Sequence, residues 1–364
     1  MPKIIFAYLH RVISSGLITK YTMKQPKRVT IYDIAKKLNL NPSSVSRALN
    51  NSANVSTTTK QLILKTAEEM NYKVNSVAAS LRTGNNQTIG VIVPHINQNF
   101  FANVIAGIEE VTYEMGYNLV ICQSHESAAR EVQCVNTLTN QHVSCIIISV
   151  SADFEDPGHL ESIRKQGIPL IQFDRVADEL DTMKVLNDNE SAAMEAVCHM
   201  IKEGYKRIAL LEGPQNLNIF RQRKAGYLAA LKKYDLPIIP ELIVENAWTK
   251  ELGATATRKL LNLSEPPDAI FASTSDFAAL GALEVATEMN IQVPKQLGIC
   301  GYSNESFTEI TNPSITTIDQ HSILMGKTIA QLYFSELKSD VSNHKNQIVT
   351  LKPELIIRKS TKRH

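Results

Sequence analysis

From Thr30 to Asn71 the apolar positions recur at helical spacing, in short segments that each follow a capping residue. Ile31 to Leu38 opens after Thr30 and places Ile34, Ala35 and Leu38 on one face. Asn39, Leu40 and Asn41 make a break of turn length. Asn41 then caps a second helix with Pro42 in its first position and Val45, Ala48 and Leu49 as its apolar stripe. Thr57 to Met70 is a third helix, opening after Ser56. The pattern predicts a helix-turn-helix, in which the small Ala35 lets the helices cross closely and Leu40 and Val45 fill the angle. The polar face of the second helix carries Ser43, Ser44, Ser46, Arg47 and Asn50, donors and acceptors suited to base edges and phosphates. Arg47 is the best candidate for a bidentate contact to guanine.

Beyond Gly84 the period changes. Thr88 to Val93 is a continuous apolar run of the kind buried on both faces of a parallel sheet. A helix follows with Val104, Ile108, Val111 and Met115 along one side, stopped by Gly116, and then a strand from Tyr117 to Cys122. Helix 132–139, strand 145–150, helix 160–165 and strand 169–173 continue the alternation. The plan restarts at Ser191, with strands at 207–211, 243–245, 269–272 and 297–301 separated by helices at 222–234, 252–261 and 277–289. Two similar doubly wound α/β lobes imply a cleft between them, and ligands of such sheets sit outside the carboxyl ends of strands.

The residues at those ends form a coherent set. Asp174 and Arg175 follow one strand; Asn216, Phe220 and Arg223 follow another; Trp248 and Asp276 follow two more. Carboxylates, an arginine fork and an aromatic plate hold a polyhydroxylated ring through charge-assisted hydrogen bonds and stacking, so the pocket reads as a carbohydrate site. Taken singly, Asp174–Arg175 also fits a structural pair across the lobes, Trp248 a rim residue, and Phe100 or Phe101 core. No dinucleotide-binding turn, P-loop or nucleophile elbow occurs, which argues against an enzyme on this fold. No catalytic or metal-binding set is expected.

Charge sharpens the division. The 364-residue chain has a formal net charge of only +2, yet Lys24 to Gly84 holds ten Lys or Arg against Asp33, Glu68 and Glu69. A basic front on an acidic body points to a polyanion partner at the amino-terminal end. The five cysteines form no CxxC pair and suit buried positions in a reducing compartment. The apolar run Ile4 to Leu9 is interrupted by His10 and Arg11 before it reaches signal-peptide length, which argues against export as a periplasmic receptor. Met23 precedes the polar stretch Lys24 to Arg28, so residues 1–22 read as an upstream mis-start or a loose extension.

Read in order, Val29-Thr30-Ile31-Tyr32-Asp33-Ile34-Ala35, Ser44-Val45-Ser46-Arg47-Ala48-Leu49-Asn50, Val55-Ser56, Asn71-Tyr72 and Asn75-Ser76-Val77-Ala78-Ala79-Ser80-Leu81 resemble the headpiece and hinge of the LacI/GalR family of bacterial transcriptional regulators. The resemblance extends to about Arg358. It implies a periplasmic-binding-protein-like body and a cytoplasmic, nucleoid-associated homodimer, without membrane contact, on double-stranded operator DNA. The implied DNA-contacting residues are Thr30, Tyr32, Ser43, Ser44, Ser46, Arg47, Asn50, Asn54, Ser56, Tyr72, Asn75, Ala78 and Leu81. The hinge is too short to be stable alone and is expected to order on DNA, with Leu81 wedged into a base step.

In the body the resemblance implies effector contacts at Phe100 and Phe101 in the loop after the first strand, and at Asp174, Asn216, Phe220, Arg223, Trp248, Asp276 and Ser303. The only cofactor-like ligand expected is a small-molecule effector, a sugar or sugar derivative. Leu217 and Ile219 stand where a purine-binding member has polar contacts, which weakens a purine reading. The expected organisation is an extension over 1–26, the helix-turn-helix domain over 27–74, hinge and linker over 75–86, the effector domain over 87–358 and a tail over 359–364. Lobe 1 takes 87–187 and 318–345; lobe 2 takes 188–317 and 346–358. Three departures stand out. Asn39 replaces the usual turn glycine, but tolerates the same left-handed backbone. Val74 replaces the proline before the hinge. Ser303 replaces an aspartate after Gly301-Tyr302, leaving Asn304 or Glu305 to substitute.

Overall fold

The structure is a computed structural model that describes residues 29–49, 55–72, 86–338 and 346–363. The extension over 1–26, Asn50, Asn54 and the hinge residues Asn75, Ala78 and Leu81 lie outside the described residues. The chain divides into two compact units, Met1–Thr83 and Gly84–His364.

In the first unit, α1 (Ile31–Leu38), α2 (Pro42–Leu49) and α3 (Thr57–Glu69) close around Ile34, Ala35, Val45, Ala48, Ile63 and Ala67. The N–H and hydroxyl of Thr30 both donate to the Asp33 carboxylate, at 2.8 and 2.7 Å, fixing the start of α1. Asn39 ends that helix at φ 51°, ψ 44°, the left-handed turn expected of it. Ser56 caps α3 through Thr59 N–H at 3.3 Å.

The second unit opens with β1 (Thr88–Val93), α4 (Asn99–Glu114), β2 (Asn118–Gln123), α5 (Ala128–Asn140), β3 (Cys145–Ile148), α6 (Gly158–Lys165), β4 (Leu170–Phe173) and β5 (Met183–Asn187). It continues through α7 (Asn189–Lys202), β6 (Ile208–Leu211), α8 (Asn218–Lys233), β7 (Ile243–Val244), α9 (Lys250–Leu261), β8 (Ala269–Ala272), α10 (Asp276–Glu288) and β9 (Gly298–Cys300). Last come α11 (Phe307–Ile310), β10 (Thr317–Asp319), α12 (Ser322–Lys338), β11 (Ile348–Leu351) and β12 (Glu354–Ile356).

Lobe 1 is a parallel sheet ordered β11-β5-β4-β3-β1-β2, and lobe 2 a parallel sheet ordered β7-β6-β8-β9. The doubly wound, two-lobed architecture is as expected. Helices α4 and α12 cover one face of lobe 1 and cross at their closest on two glycines. A Cβ on Gly107 would sit 2.2 Å from the Ile323 carbonyl, and one on Gly326 2.1 Å from that of Val104. The amino-terminal end of α8 packs on the other face of lobe 1 through Leu217, Ile219 and Phe220, tying the lobes together. The antiparallel ribbon β10–β12 joins the core of lobe 2 through Ile318 and Leu355.

Three expectations need correction. Strand β5 was not anticipated, because Lys184 breaks its apolar run; the lysine is accommodated by donating to the Asp178 carbonyl at 2.9 Å. Residues 348–351, expected in lobe 2, form β11 and pair with β5 in lobe 1. Their alternating exposure is that of an edge strand, which carries no mark of the sheet it joins. Residues 359–363, expected as a tail beyond the effector domain, are built into it. Ser360 and Thr361 are fully buried in lobe 2, where Ile299 N–H donates to the Ser360 carbonyl (3.0 Å), Thr316 N–H to Ser360 Oγ (2.8 Å), and the Thr361 and Thr316 hydroxyls pair at 2.7 Å. Deleting residues 359–364 is expected to cost ~3 kcal/mol, at about 1 kcal/mol for each buried hydrogen bond lost. A urea-unfolding midpoint unchanged from the full chain would contradict this.

Candidate functional site

Two candidate surfaces emerge, one in each unit. On the headpiece, Tyr32, Ser43 and Arg47 are exposed while Ser44 and Ser46 are half-buried on the same helix. Asn41 Oδ1 accepts from both the N–H (3.0 Å) and the hydroxyl (2.9 Å) of Ser43, which closes the first turn of α2. Arg47 lies back along its own helix, with Nε 3.2 Å from the Ser43 carbonyl and Nη2 3.4 Å from Ser43 Oγ. These long, exposed bonds are weak and exchange readily for a stronger acceptor. Ser56 is engaged as a cap, and Tyr72 packs its ring against the headpiece core.

In the body, a cavity of about 280 Å³ opens between the carboxyl ends of the two sheets. Phe100, Phe101, Asp174, Phe220, Arg223, Trp248 and Ser303 all line it. Phe100 and Phe101 sit in the first turn of α4 rather than in a loop, and Phe101 is also core, edge-on to Phe173 at 6.3 Å.

Asp174 follows β4 in a left-handed conformation, φ 57°. Its N–H donates to the Val185 carbonyl, its own carbonyl accepts from Asn218 Nδ2 at 3.0 Å, and buried Oδ1 has no hydrogen-bond partner among the described residues. Burial raises its carboxyl above the ordinary range, with Arg175 and Arg223 pulling the other way. A left-handed backbone and a buried, unpartnered carboxylate oxygen in a cavity-lining residue mark Asp174 as a candidate ligand contact. Arg175 is clamped through Nη1 by Glu126 at 3.0 and 2.8 Å, and its buried Nε has no hydrogen-bond partner among the described residues.

Arg223 is 2% exposed. It donates from Nε to Asn189 Oδ1 (2.9 Å) and from Nη1 to the Ser273 carbonyl (2.7 Å), and stacks on Tyr302 with 3.6 Å to the ring centroid. The Tyr302 hydroxyl donates to the same Asn189 oxygen at 3.0 Å.

Two expected contacts do not line the cavity. Asn216 Nδ2 donates to the Ala152 carbonyl at 2.7 Å and so ties the lobes. Asp276 is fully buried beneath the loop after β9, where Oδ1 accepts from the Thr317 hydroxyl (2.6 Å) and Oδ2 from Glu305 N–H (2.8 Å). A Cβ on Gly301 would lie 2.0 Å from Asp276 Oδ1, so glycine is required there. Asn304 is likewise committed, to Asp319 and to Arg358. Glu305 does line the cavity, joined by His95, Gln98 and Gln320, which the sequence reading had missed. Gln320 accepts from the Ser303 hydroxyl at 3.1 Å.

Burial pushes the Asp276 carboxyl up to about 7, against the opposing bonds from Thr317 and Glu305. A carboxyl whose folded value lies above its unfolded one stabilises fully at low pH, and that contribution is lost as pH rises from about 4 through 7. The melting temperature of the wild type is therefore expected to fall relative to that of Asp276→Asn across this window; parallel profiles for the two proteins would contradict it.

Among the described residues no group of His, Cys, Asp or Glu is placed to hold a metal ion, and no helix is long and apolar enough to cross a membrane. Family models match both units: bacterial regulatory proteins of the lacI family over residues 30–75, and the periplasmic binding proteins and sugar binding domain of the LacI family over 86–356. Catabolite control protein A of Priestia megaterium is 31% identical over 92% of this chain and 99% of its own. The lac repressor dimer, solved bound to operator and the anti-inducer ONPF, aligns with TM-score 0.78 at 26% identity over 92% of this chain and 99% of its own. The transcriptional regulator CelR, solved with cellobiose, aligns with TM-score 0.69 at 26% identity over 92% and 100%. A small helical DNA-reading unit joined to a two-lobed ligand-binding body defines a class, the ligand-responsive transcriptional regulators. The chain belongs to the LacI family of that class.

Proposed function

We propose that the chain is a repressor that binds a pseudo-palindromic operator as a homodimer in the cytoplasm, and that a carbohydrate held between the lobes of its body changes its operator affinity. The observation that carries the sensing half is one small cavity lined by both Asp174, whose carboxyl is raised by burial, and the buried, stacked Arg223. The DNA-reading half is supported by the match over residues 30–75 and by the exposed Ser43 and Arg47 of α2, donors suited to a backbone phosphate and a guanine edge. Effector and operator are then coupled reciprocally: a ligand that favours one lobe arrangement shifts DNA affinity only by its differential affinity for the two arrangements.

The test is fluorescence anisotropy on duplexes tiling the chain's own upstream region, at fixed moderate salt, with and without D-ribose, D-glucose and cellobiose. One duplex is expected to bind at least a thousandfold more tightly than random sequence, and one sugar to shift that affinity. No sequence preference in any duplex would overturn the regulator reading; preference without any sugar response would overturn only the choice of effector.

A further inference from the structure

The cavity wall contributed by lobe 2 has an arrangement that neither the family match nor the charge pattern explains. The loop after β9 runs through Ser303 at φ 114° and Asn304 at φ 52°, two successive left-handed residues. Arg358 pins this loop, donating from Nη2 to Asn304 Oδ1 (2.9 Å) and from Nη1 to Thr308 Oγ1 (3.1 Å), while Asp276 holds Glu305 N–H from below. The result is that Glu305, 6% exposed, presents its carboxylate to the cavity, and Ser303 presents only a hydroxyl already given to Gln320. Across the cleft mouth the Glu305 carboxylate accepts a hydrogen bond from Asn99 Nδ2, at the amino-terminal end of α4 in lobe 1. Burial raises the Glu305 carboxyl and the Asn99 bond opposes that shift, so an incoming donor that replaces Asn99 finds a poorly hydrated acceptor.

We propose that Glu305 is the specificity-determining carboxylate of lobe 2, that it exchanges its bond to Asn99 for a hydroxyl of an uncharged polyhydroxylated effector, and that the site rejects phosphorylated ligands. The inference rests on the cleft being the effector site. Its second half follows from the charge count. The ionisable groups lining the cavity are Glu126, Asp174 and Glu305 against Arg175 and Arg223, with His95 lowered by burial and no lysine. Arg175 Nη1 is engaged by both oxygens of Glu126, and Arg223 has Nε and Nη1 committed to Asn189 and Ser273. A dianion would enter a wall with a net excess of carboxylate. Hydroxyls, by contrast, meet the Glu305 carboxylate as an acceptor. About 280 Å³ is at the small end for ligand sites, which fits a monosaccharide or nucleoside.

Isothermal titration calorimetry of the full chain with D-ribose, D-glucose and cellobiose, and with ribose 5-phosphate and glucose 6-phosphate, tests this. At least one unphosphorylated sugar is expected to bind, with its phosphate ester at least tenfold weaker. Glu305→Gln is expected to weaken that sugar at least tenfold and to narrow the discrimination against its ester, whereas Glu305→Asp, which keeps the charge, retains the discrimination. Wild-type discrimination needs no variant, so the inference stays exposed to test even if a substitution fails to fold. An ester that binds as tightly as its parent sugar overturns it, as does E305Q with wild-type affinity and discrimination. If no sugar or ester binds while operator preference is intact, the carbohydrate reading of the cleft falls, and this inference with it.

Discussion

Arg223→Ala is expected to remove effector binding, with affinity falling at least 100-fold, and also to destabilise the body by ~3 kcal/mol. The two effects have one source. A hydrogen bond from a charged group contributes about 1.5–3 kcal/mol, so losing the guanidinium from the cavity wall is worth two decades of affinity. The same side chain donates to Asn189 and Ser273 and covers Tyr302, and removing one member of such a buried set leaves its acceptors without water or partner. Arg223→Lys separates the contributions. It keeps the charge but not the planar fork or the stacking surface, so stability recovers in part while effector affinity does not. Calorimetric titration read alongside urea unfolding checks both; an alanine variant with wild-type effector affinity would remove Arg223 from the site.

Arg47→Ala is expected to act in the opposite compartment of function. A bidentate contact to guanine discriminates by about 1–3 kcal/mol, so affinity for the preferred operator should fall roughly 10- to 100-fold. Affinity for random DNA should change far less, and the salt slope by at most about one unit, because a single phosphate contact is the most that can be lost with it. Among the described residues the hydrogen bonds of Arg47 run to Ser43 on its own exposed helix face and Arg47 is no part of the headpiece core, so the melting temperature is expected to stay close to wild type. Competition anisotropy with operator and random duplexes distinguishes this from general weakening: an equal loss on both would assign Arg47 to the phosphate backbone.

What the sequence made legible follows from how local the determinants are. The headpiece could be read element by element because its signals lie within a few residues of their effects: Asp33 closes back on Thr30, Asn41 caps Ser43, and Asn39 turns the chain. Strand ends in the body were equally readable, and Asp174 and Arg223 face the cleft as their positions suggested. Asp276 misled because four residues beyond a strand its carboxylate turns under the next loop, a contact fixed by Thr317, forty-one residues away. Asn216 misled in the same manner, through a carbonyl sixty-four residues distant. His95 and Gln320 reach the cavity by loops whose course no periodicity describes. For Glu305 a signal did exist, in the missing aspartate at Ser303, but choosing it over Asn304 required seeing Arg358 and Asp319 claim the asparagine.

The path of the last strands has a bearing on how the body is made. Because β11 completes the sheet of lobe 1 and Ser360 and Thr361 are threaded into lobe 2, neither lobe is a contiguous stretch of chain. During synthesis the headpiece can close its core as soon as α3 has emerged, since all its described partners lie within residues 29–72. The body cannot. Lobe 1 stays one strand short, with the edge of β5 unpaired, until Ile348–Leu351 have left the ribosome. A nascent chain of this protein thus carries a closed headpiece core ahead of an open-edged sensor, and its window of greatest risk for edge-to-edge association closes only when Ile348–Leu351 pair with β5.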